Sequence, residues 1–532
     1  MKLPRFLTAS ALLSFAASAV FAEERTNQDS PRLPNVVIIY ADDLGYGDLS
    51  CYGATKVRTP NIDSLASEGR RFTDAHSPSA VCTPSRFALM TGEYPFRKNI
   101  YSPIFLRSPL VIPEDRFTIA DLMQGAGYRT GIVGKWHLGF QDKAPVDWNA
   151  PLKPGPLELG FDYYYGVPTV NSHPPFVYVE NHRVVGHVYD ADSPDYDPFD
   201  YNKDAGEQGY TEKHPEKVRL DHIGGSKSAH ALYKDHEVGL HLAEKAIEWI
   251  DASKEDPFFL IFSSTHIHHP FTPAPQFQGS SEAGVYGDFL HELDHIVGMI
   301  LDKLEAEGLE DDTLVIFTAD NGAMLNATGQ KAFREFGHRM NGPLLGFKSD
   351  GWEGGHRVPF LAKWPGHIPA NTVSDQLIGS IDLMATLAAI TGEELPQDGF
   401  ADGVDISEAL TGNPLEPIRD HLVCTPLKKD FLVLRKGKWA YLAGRGSSGW
   451  NGKPGSHIMS GPRSLPFTGD ENSDVLDGFV KESAPSAQLY DLEKDLGQTK
   501  NLYHEYPEVV RQLSALLDTY NPIASNPKKN EN

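Results

Sequence analysis

Four runs of apolar, β-favouring residues are spread along the chain, and each stops at polar residues able to do chemistry. Asn35-Val36-Val37-Ile38-Ile39-Tyr40 leads into Asp42-Asp43, and Gly131-Ile132-Val133 into Lys135 and His137. Pro257-Phe258-Phe259-Leu260-Ile261-Phe262 leads into His266, His268 and His269, and Thr313-Leu314-Val315-Ile316-Phe317 into Asp320-Asn321. Runs this continuous do not alternate, so strands made from them must be covered on both faces. Helical stripes lie between them: Leu240, Ala243, Ile247 and Ile250, then Leu290, Leu293, Val297, Ile300 and Leu304. The alternation predicts an α/β chain with a doubly wound, mostly parallel sheet. Reactive residues just past the C-terminal ends of its strands are where such sheets gather ligands. No internal repeat is present.

At 532 residues the chain suits one large core with a smaller companion. Residues 141 to 230 are rich in Pro, Gly, Tyr, Asp and His, and read as long loops lining a ligand. After about residue 415 the texture changes. Phe431-Leu432-Val433-Leu434 and Lys438-Trp439-Ala440-Tyr441-Leu442 read as strands of a small antiparallel sheet, and Val509, Leu513, Leu516 and Leu517 as one face of a late helix. The expected division is a main domain over 34–415, a smaller C-terminal α+β domain with an antiparallel sheet over 416–522, and a flexible tail over 523–532.

The first 22 residues read as a secretory signal peptide. Lys2 and Arg5 precede the apolar run Leu7 to Val20, and Val20-Phe21-Ala22 offers a cleavage site ahead of Glu23. The run is short for a membrane span, so the expectation is a periplasmic or secreted protein without stable membrane insertion. Lys plus Arg number 48 against 72 Asp plus Glu, a net charge of −24. That excludes a nucleic-acid binder and means that any anionic substrate must be held by a local cationic pocket. Three cysteines do not make a disulfide scaffold; Cys51 and Cys424 read as free thiols, although pairing between them stays open.

The third cysteine stands in Val81-Cys82-Thr83-Pro84-Ser85-Arg86. Pro84 suits the first turn of a helix, Phe87 to Met90 continue it, and Gly92 can end it. Cys82 at a helix N-terminus, with Arg86 one turn on along the same face, points to a nucleophilic thiol in an anion-holding pocket. An ordinary buried cysteine opening a helix fits the same five residues. Asp42-Asp43 and Asp320-Asn321 are pairs of hard oxygen donors, suited to Ca²⁺ or Mg²⁺ rather than zinc, or to capping a turn. Lys135 and His137 flank Trp136; in an extended chain both would face one site while Trp136 packs away. Lys348, ahead of Trp352-Glu353-Gly354-Gly355, and His266-x-His268-His269-Pro270 are each open to more than one reading.

Together, and in this order, these segments resemble the type I, formylglycine-dependent sulfatases of the alkaline phosphatase superfamily, over roughly residues 34 to 520. The likeness is greatest to the arylsulfatase A and N-acetylgalactosamine-6-sulfatase branch. Cys82-Thr83-Pro84-Ser85-Arg86 matches the family's Cys-x-Pro-x-Arg, and Leu489-Tyr490-Asp491-Leu492 with Asn501-Leu502 is similar to its usual ending. The resemblance implies an alkaline phosphatase-like fold and a sulfuric ester hydrolase. A maturation enzyme would act on Cys82 to Arg86 and convert Cys82 to formylglycine. One Ca²⁺ would be held by Asp42, Asp43, Asp320, Asn321 and the residue at Cys82. A hydrated formylglycine would attack sulfur, Arg86, Lys135 and Lys348 would neutralise sulfate, His268 would protonate the leaving alcohol, and His137 would take a proton to release sulfate.

The substrate expected is a sulfated carbohydrate of galactose or N-acetylgalactosamine type, cut at a terminal sugar. Export, the −24 charge, Tyr163 to Tyr165 and Asn171-Ser172-His173-Pro174-Pro175 motivate this, the last two as aromatic and polar pocket walls. The rivals are a phosphodiesterase or phosphonate hydrolase of the same superfamily, a di-zinc phosphatase, and a calcium-dependent glycan-binding protein.

Overall fold

The four apolar runs lie side by side. In the computed structural model, which describes residues 33–105, 107–187, 227–396, 402–453 and 456–520, they are the strands β1 (Asn35–Ala41), β3 (Arg129–Lys135), β7 (Phe258–Ser263) and β8 (Thr313–Ala319). Their order across the sheet is β8-β1-β7-β3, all parallel. Ile38 is level with both Ile261 and Ile316. Because register and direction are shared, the polar groups that end the four runs come out along one edge. The expected signal peptide and C-terminal tail lie outside the described residues.

β4 (Tyr163–Val167) extends the sheet parallel to β3, and the short strands β5 (Val179–Glu180) and β6 (Arg183–Val184) close that side antiparallel. On the other side β9 (Phe360–Lys363) runs antiparallel to β8 and to β2 (Arg70–Phe72), with β10 (Thr372–Ser374) outermost. The α/β, doubly wound, mostly parallel expectation therefore holds, with antiparallel strands confined to the flanks. Val37, Ile39 and Ala41 share a core with helices α2 (Val238–Ser253) and α3 (Gly284–Ala306), while Val36 and Ile38 are equally buried on the opposite face.

Two local expectations are corrected. The buried face of α2 is Leu242, Ala243, Ala246, Trp249 and Ile250, so Ala243 and Ile250 of the expected stripe are buried, whereas Leu240 and Ile247 are only partly covered. Trp249 is the reason: its ring lies where a Cβ on Gly131 would be, 2.5 Å from its nearest atom, so the helix rotates to seat the indole on the strand. Tyr163 to Tyr165 belong to β4 rather than to a pocket wall. Tyr164 is fully buried, and Tyr165 stacks on Tyr178 inside the core.

The late strands form a four-stranded antiparallel sheet, β11 (Leu422–Cys424), β12 (Val433–Lys436), β13 (Trp439–Leu442) and β14 (Gln488–Asp491). Leu513 and Leu517 of helix α4 (Pro507–Asp518) pack into its core, which also takes in Ala88 and Trp352. The first strand of the expected hairpin starts two residues late, at Val433, and Gly437 makes the turn with φ +51°. Cys51, Cys82 and Cys424 are all free thiols. Among the described residues, no helix is long and apolar enough to cross a membrane.

Candidate active site

Helix α1 (Cys82–Thr91) runs into the edge where the four strands end. Val81 precedes it in extended conformation, and Gly92 closes it at φ +63°, as the Pro84 and Gly92 positions predict. Every residue of α1 is buried. Arg86 spends its hydrogen bonds on the strand ends. Its Nη2 and Nε donate to Asp320 Oδ2 at 2.8 and 3.1 Å, and its Nη1 to Ser263 Oγ at 2.6 Å. Cys82 instead faces His137, with Sγ 3.4 Å from Nδ1.

The structure brings the candidate oxygen donors together. Asp42, Asp43 and Asp320 each offer a carboxylate oxygen within 4.8 Å of the others. Asn321 joins them by donating from Nδ2 to Asp43 Oδ1 at 2.8 Å. Asp42 Oδ1, Asp43 Oδ2 and Asn321 Oδ1 are buried without any hydrogen-bond partner. Three orphaned oxygen acceptors at one point are costly unless a cation fills the space between them. Oxygen donors with no thiolate or imidazole among them suit a hard divalent ion, so the residues fit the calcium expected from the sequence.

Each carboxylate also has a cationic partner. Lys135 Nζ donates to Asp42 Oδ2 at 2.7 Å, Lys348 Nζ donates to Asp43 Oδ1, and Arg86 holds Asp320. Three acids against three bases leave the cluster neutral, so a divalent ion would make it net +2 and attractive to an anion. Burial pushes Asp320 up, reinforced by Asp42 and opposed by Arg86 and Lys135. Burial would lower Lys348, but Asp43 together with the other anionic groups around it raises the ammonium above its ordinary value. His137 is held well below the usual imidazole range by burial and then by Lys135 and Arg86.

Burial also raises the Cys82 thiol, and Lys135 and Lys348 only partly offset it. At this helix N-terminus burial, which disfavours a thiolate, works against the dipole, which favours one. Lys135 is the last residue of β3, and His137 reaches the same site through a left-handed turn at φ +56° rather than an extended chain. Asp43 is left-handed too, at φ +58°. Non-glycine residues in that region cost of order 1 kcal/mol, and here both aim a functional group into the site. Trp136 packs away, as expected, donating from Nε1 to Gly139 O at 2.7 Å.

Of the histidines after β7, His268 belongs to the site, with Nε2 3.8 Å from Asp43 Oδ2. Its Nδ1 donates to the His269 carbonyl at 2.7 Å, so Nε2 is the nitrogen free to exchange a proton. His266 points away and packs its ring on Phe289, 4.0 Å between centroids. Sequence reasoning missed Ser263, which steers Arg86, because a serine ending an apolar strand carries no signal. It also missed His457, whose ring lies 5.2 Å from that of His269. Residues 456–461, which carry it, are pinned beside Lys348 by Ser349 Oγ to Ser460 Oγ at 3.2 Å and Gly461 N to Asp350 Oδ2 at 3.0 Å. From the suspected polar loop, Asn171 Nδ2 donates to the His268 carbonyl at 3.2 Å.

Residues 34–393 match the family model described as Sulfatase. The chain is 36% identical over 518 residues to an N-acetylgalactosamine-6-O-sulfatase of Bacteroides thetaiotaomicron, covering 93% of this chain and 94% of the relative. It is 34% identical over 521 residues to human arylsulfatase A, covering 95% and 90%. A solved Bacteroides thetaiotaomicron structure, described under the metabolism of multiple glycosaminoglycans, superposes with a TM-score of 0.78 at 34% identity. That superposition covers 93% of this chain and the whole of the other.

Proposed function

The chain belongs to the sulfatase family and is a sulfuric ester hydrolase; on that premise we propose an exported, calcium-dependent enzyme that removes sulfate from a terminal sugar of a sulfated carbohydrate, with formylglycine made from Cys82. The observation that carries this reading is the convergence of three orphaned oxygens, Asp42 Oδ1, Asp43 Oδ2 and Asn321 Oδ1, among the carboxylates that Arg86, Lys135 and Lys348 hold. A galactose- or N-acetylgalactosamine-type sugar is supported by the name of the bacterial relative.

Asp42, Asp43, Asp320 and Asn321 would hold the ion. Calcium and the oxidised side chain at position 82, when in place, supply charge stabilisation on sulfate and a strong oxygen nucleophile. The remaining work falls to this chain's own groups. Lys135 and Lys348 are fixed by their carboxylates, so they meet a sulfate ester without reorganising. His137 Nδ1 lies against the atom at position 82 and is placed to exchange a proton with it. His268 keeps one proton on Nδ1 through the His269 carbonyl and presents Nε2 to the leaving alcohol. The −24 charge opposes long polyanions at a distance, which favours release from chain ends.

The test joins a mass spectrum of the Cys82 peptide to sulfate release from defined sulfated mono- and oligosaccharides beside intact polymer. Formylglycine at position 82 and fast release from short 6-sulfated galactose-type sugars are expected. Release confined to internal residues of long chains would overturn the terminal-sugar reading, and turnover of phosphate esters alone would overturn the sulfate-ester reading.

A further inference from the structure

Three stretches of chain that carry site residues meet at one buried side chain that is not itself in the site. Asn341, 3% exposed, lies between the helix over Ala327–Phe336 and Lys348. Its Oδ1 accepts from Ala323 N at 3.2 Å, and its Nδ2 donates to Gly346 O at 2.9 Å. Ala323 stands two residues after Asn321, and Gly346 two before Lys348. The amide also lies against Gly45, two residues after Asp43, where a Cβ would come 2.7 Å from Oδ1. A backbone N–H on one side and a carbonyl on the other fix which way the amide faces.

The backbone joins two of these stretches and stops short of finishing the job. Gly322 N donates to Gly355 O at 3.0 Å, and Lys348 N to Ala323 O at 2.8 Å. Ala323 N and Gly346 O are left over, both on buried residues, and the Asn341 amide takes both. Buried backbone groups need such partners. Lys348 itself rides on a turn in which Gly346 has φ +88° and Ser349 φ +81°. A serine in that region is strained, and the turn keeps its shape only while its surroundings hold it. Ser349 N, bonded to Ala80 O at 2.7 Å, fixes the far side of the turn, and Asn341 fixes the near side.

We propose that Asn341 is a positioning residue for sulfate-ester hydrolysis: its amide keeps the Lys348 ammonium in register with Asn321 across the site. Asn341 reaches the chemistry only through the two backbone segments it ties. A group displaced by about 1 Å from its working position can cost about 100-fold in rate, so one amide that sets two such groups has leverage without meeting the substrate. The inference rests on the reading of Lys348 and Asn321 as site residues.

The test measures, on the full chain, sulfate release from a 6-sulfated galactose-type sugar, or from a nitrophenyl sulfate should that sugar be no substrate, and calcium-dependent melting beside it. Asn341→Ala should lower kcat per folded chain by about 10- to 100-fold while KM moves by less than about threefold. The calcium concentration that half-completes the rise in melting temperature should increase by about tenfold. Asn341→Asp keeps an acceptor for Ala323 N but sets a carboxylate oxygen against the Gly346 carbonyl. It should lose kcat while its calcium midpoint stays at or below that of wild type, a split that lost stability alone does not produce. Arg435→Met, which unpairs Glu353 away from the strand ends, is the control for destabilisation and should keep its kcat. Wild-type kcat in Asn341→Ala would overturn the proposal, as would wild-type kcat in Asn341→Asp where Asn341→Ala does not fold. Failure of both variants to fold would assign the amide to folding and overturn it as well. A wild-type chain whose melting ignores calcium would instead count against the ion, and the kcat comparison would still decide on Asn341.

Discussion

The oxygen cluster at the strand ends and the guanidinium cluster behind it are both buried, charged and rich in acids, yet they are finished differently. At the strand ends each carboxylate has a cationic partner, and two of the three still leave an oxygen empty, Asp42 Oδ1 and Asp43 Oδ2. Behind it, both oxygens of Asp74 are taken by Arg435 at 3.1 Å, and Arg357 adds a further contact at 3.2 Å. Burial would raise Asp74, but Arg435 and Arg357 overcome it and hold the carboxyl well below the usual range. Empty carboxylate oxygens at the strand ends fit a place where charge is to arrive; the doubly paired carboxylate of Asp74 fits a place where the chain is being held together.

The comparison breaks first on Cys82. Cys82→Ala should lower kcat by roughly 10⁴-fold with little fall in melting temperature, because the thiol's polar contact is a single one, to His137. Near-normal turnover, followed by sulfate release, would remove Cys82 from the chemistry. Calcium comes next. Exhaustive chelation should cost about 10³-fold in rate, and readdition should restore it. Calcium should also raise the melting temperature of wild type but not of Asp43→Ala, a binding readout independent of turnover.

The guanidinium cluster should respond the other way round. Arg435→Met leaves Asp74 and Glu353 buried with less compensation and should cost about 3–5 kcal/mol in urea unfolding. The folded fraction should keep its kcat. Full stability in this variant would mean that the ion pairs are not structural.

Asp294 gives the smallest and sharpest contrast, since only neutral groups serve it. It accepts from Ile62 N at 2.9 Å and Asn61 Nδ2 at 2.8 Å, and burial pushes its carboxyl up to about 6. A carboxyl raised above its unfolded value binds more protons when folded, so stability falls as pH rises from about 4 to about 6. Asp294→Asn should flatten that slope by about 2 kcal/mol across the window. An unchanged slope in chemical unfolding would place the shift elsewhere.

Strand order was not readable, but the strands were, because four unbroken apolar runs can only be buried on both faces. The polar residues after them were legible for the same reason: Asp42, Lys135, His268 and Asp320 stand where the runs stop. What escaped reading depended on contacts distant in sequence. Trp249 sets the face of α2 through a space left by Gly131, and a periodicity count that favours aliphatic residues passes over the indole. The burial that raises the Cys82 thiol depends on the folded packing around the helix, whereas the helix position was visible in five residues. His457 reaches the site from the far end of the chain, attached through Ser460 and Gly461, and nothing near it in sequence marks it.

The placement of β1 sets a schedule for synthesis. It is the first strand made and the middle of the sheet, so Val36 has no neighbour until Phe259 is made and none on its other side until Leu314. Until then the segment around Cys82 has no edge to dock against, and the residue that ends 1% exposed stays open to any enzyme that meets the growing chain. Once β8 arrives that access shuts. Were an enzyme to modify Cys82, it would have to do so before that closure.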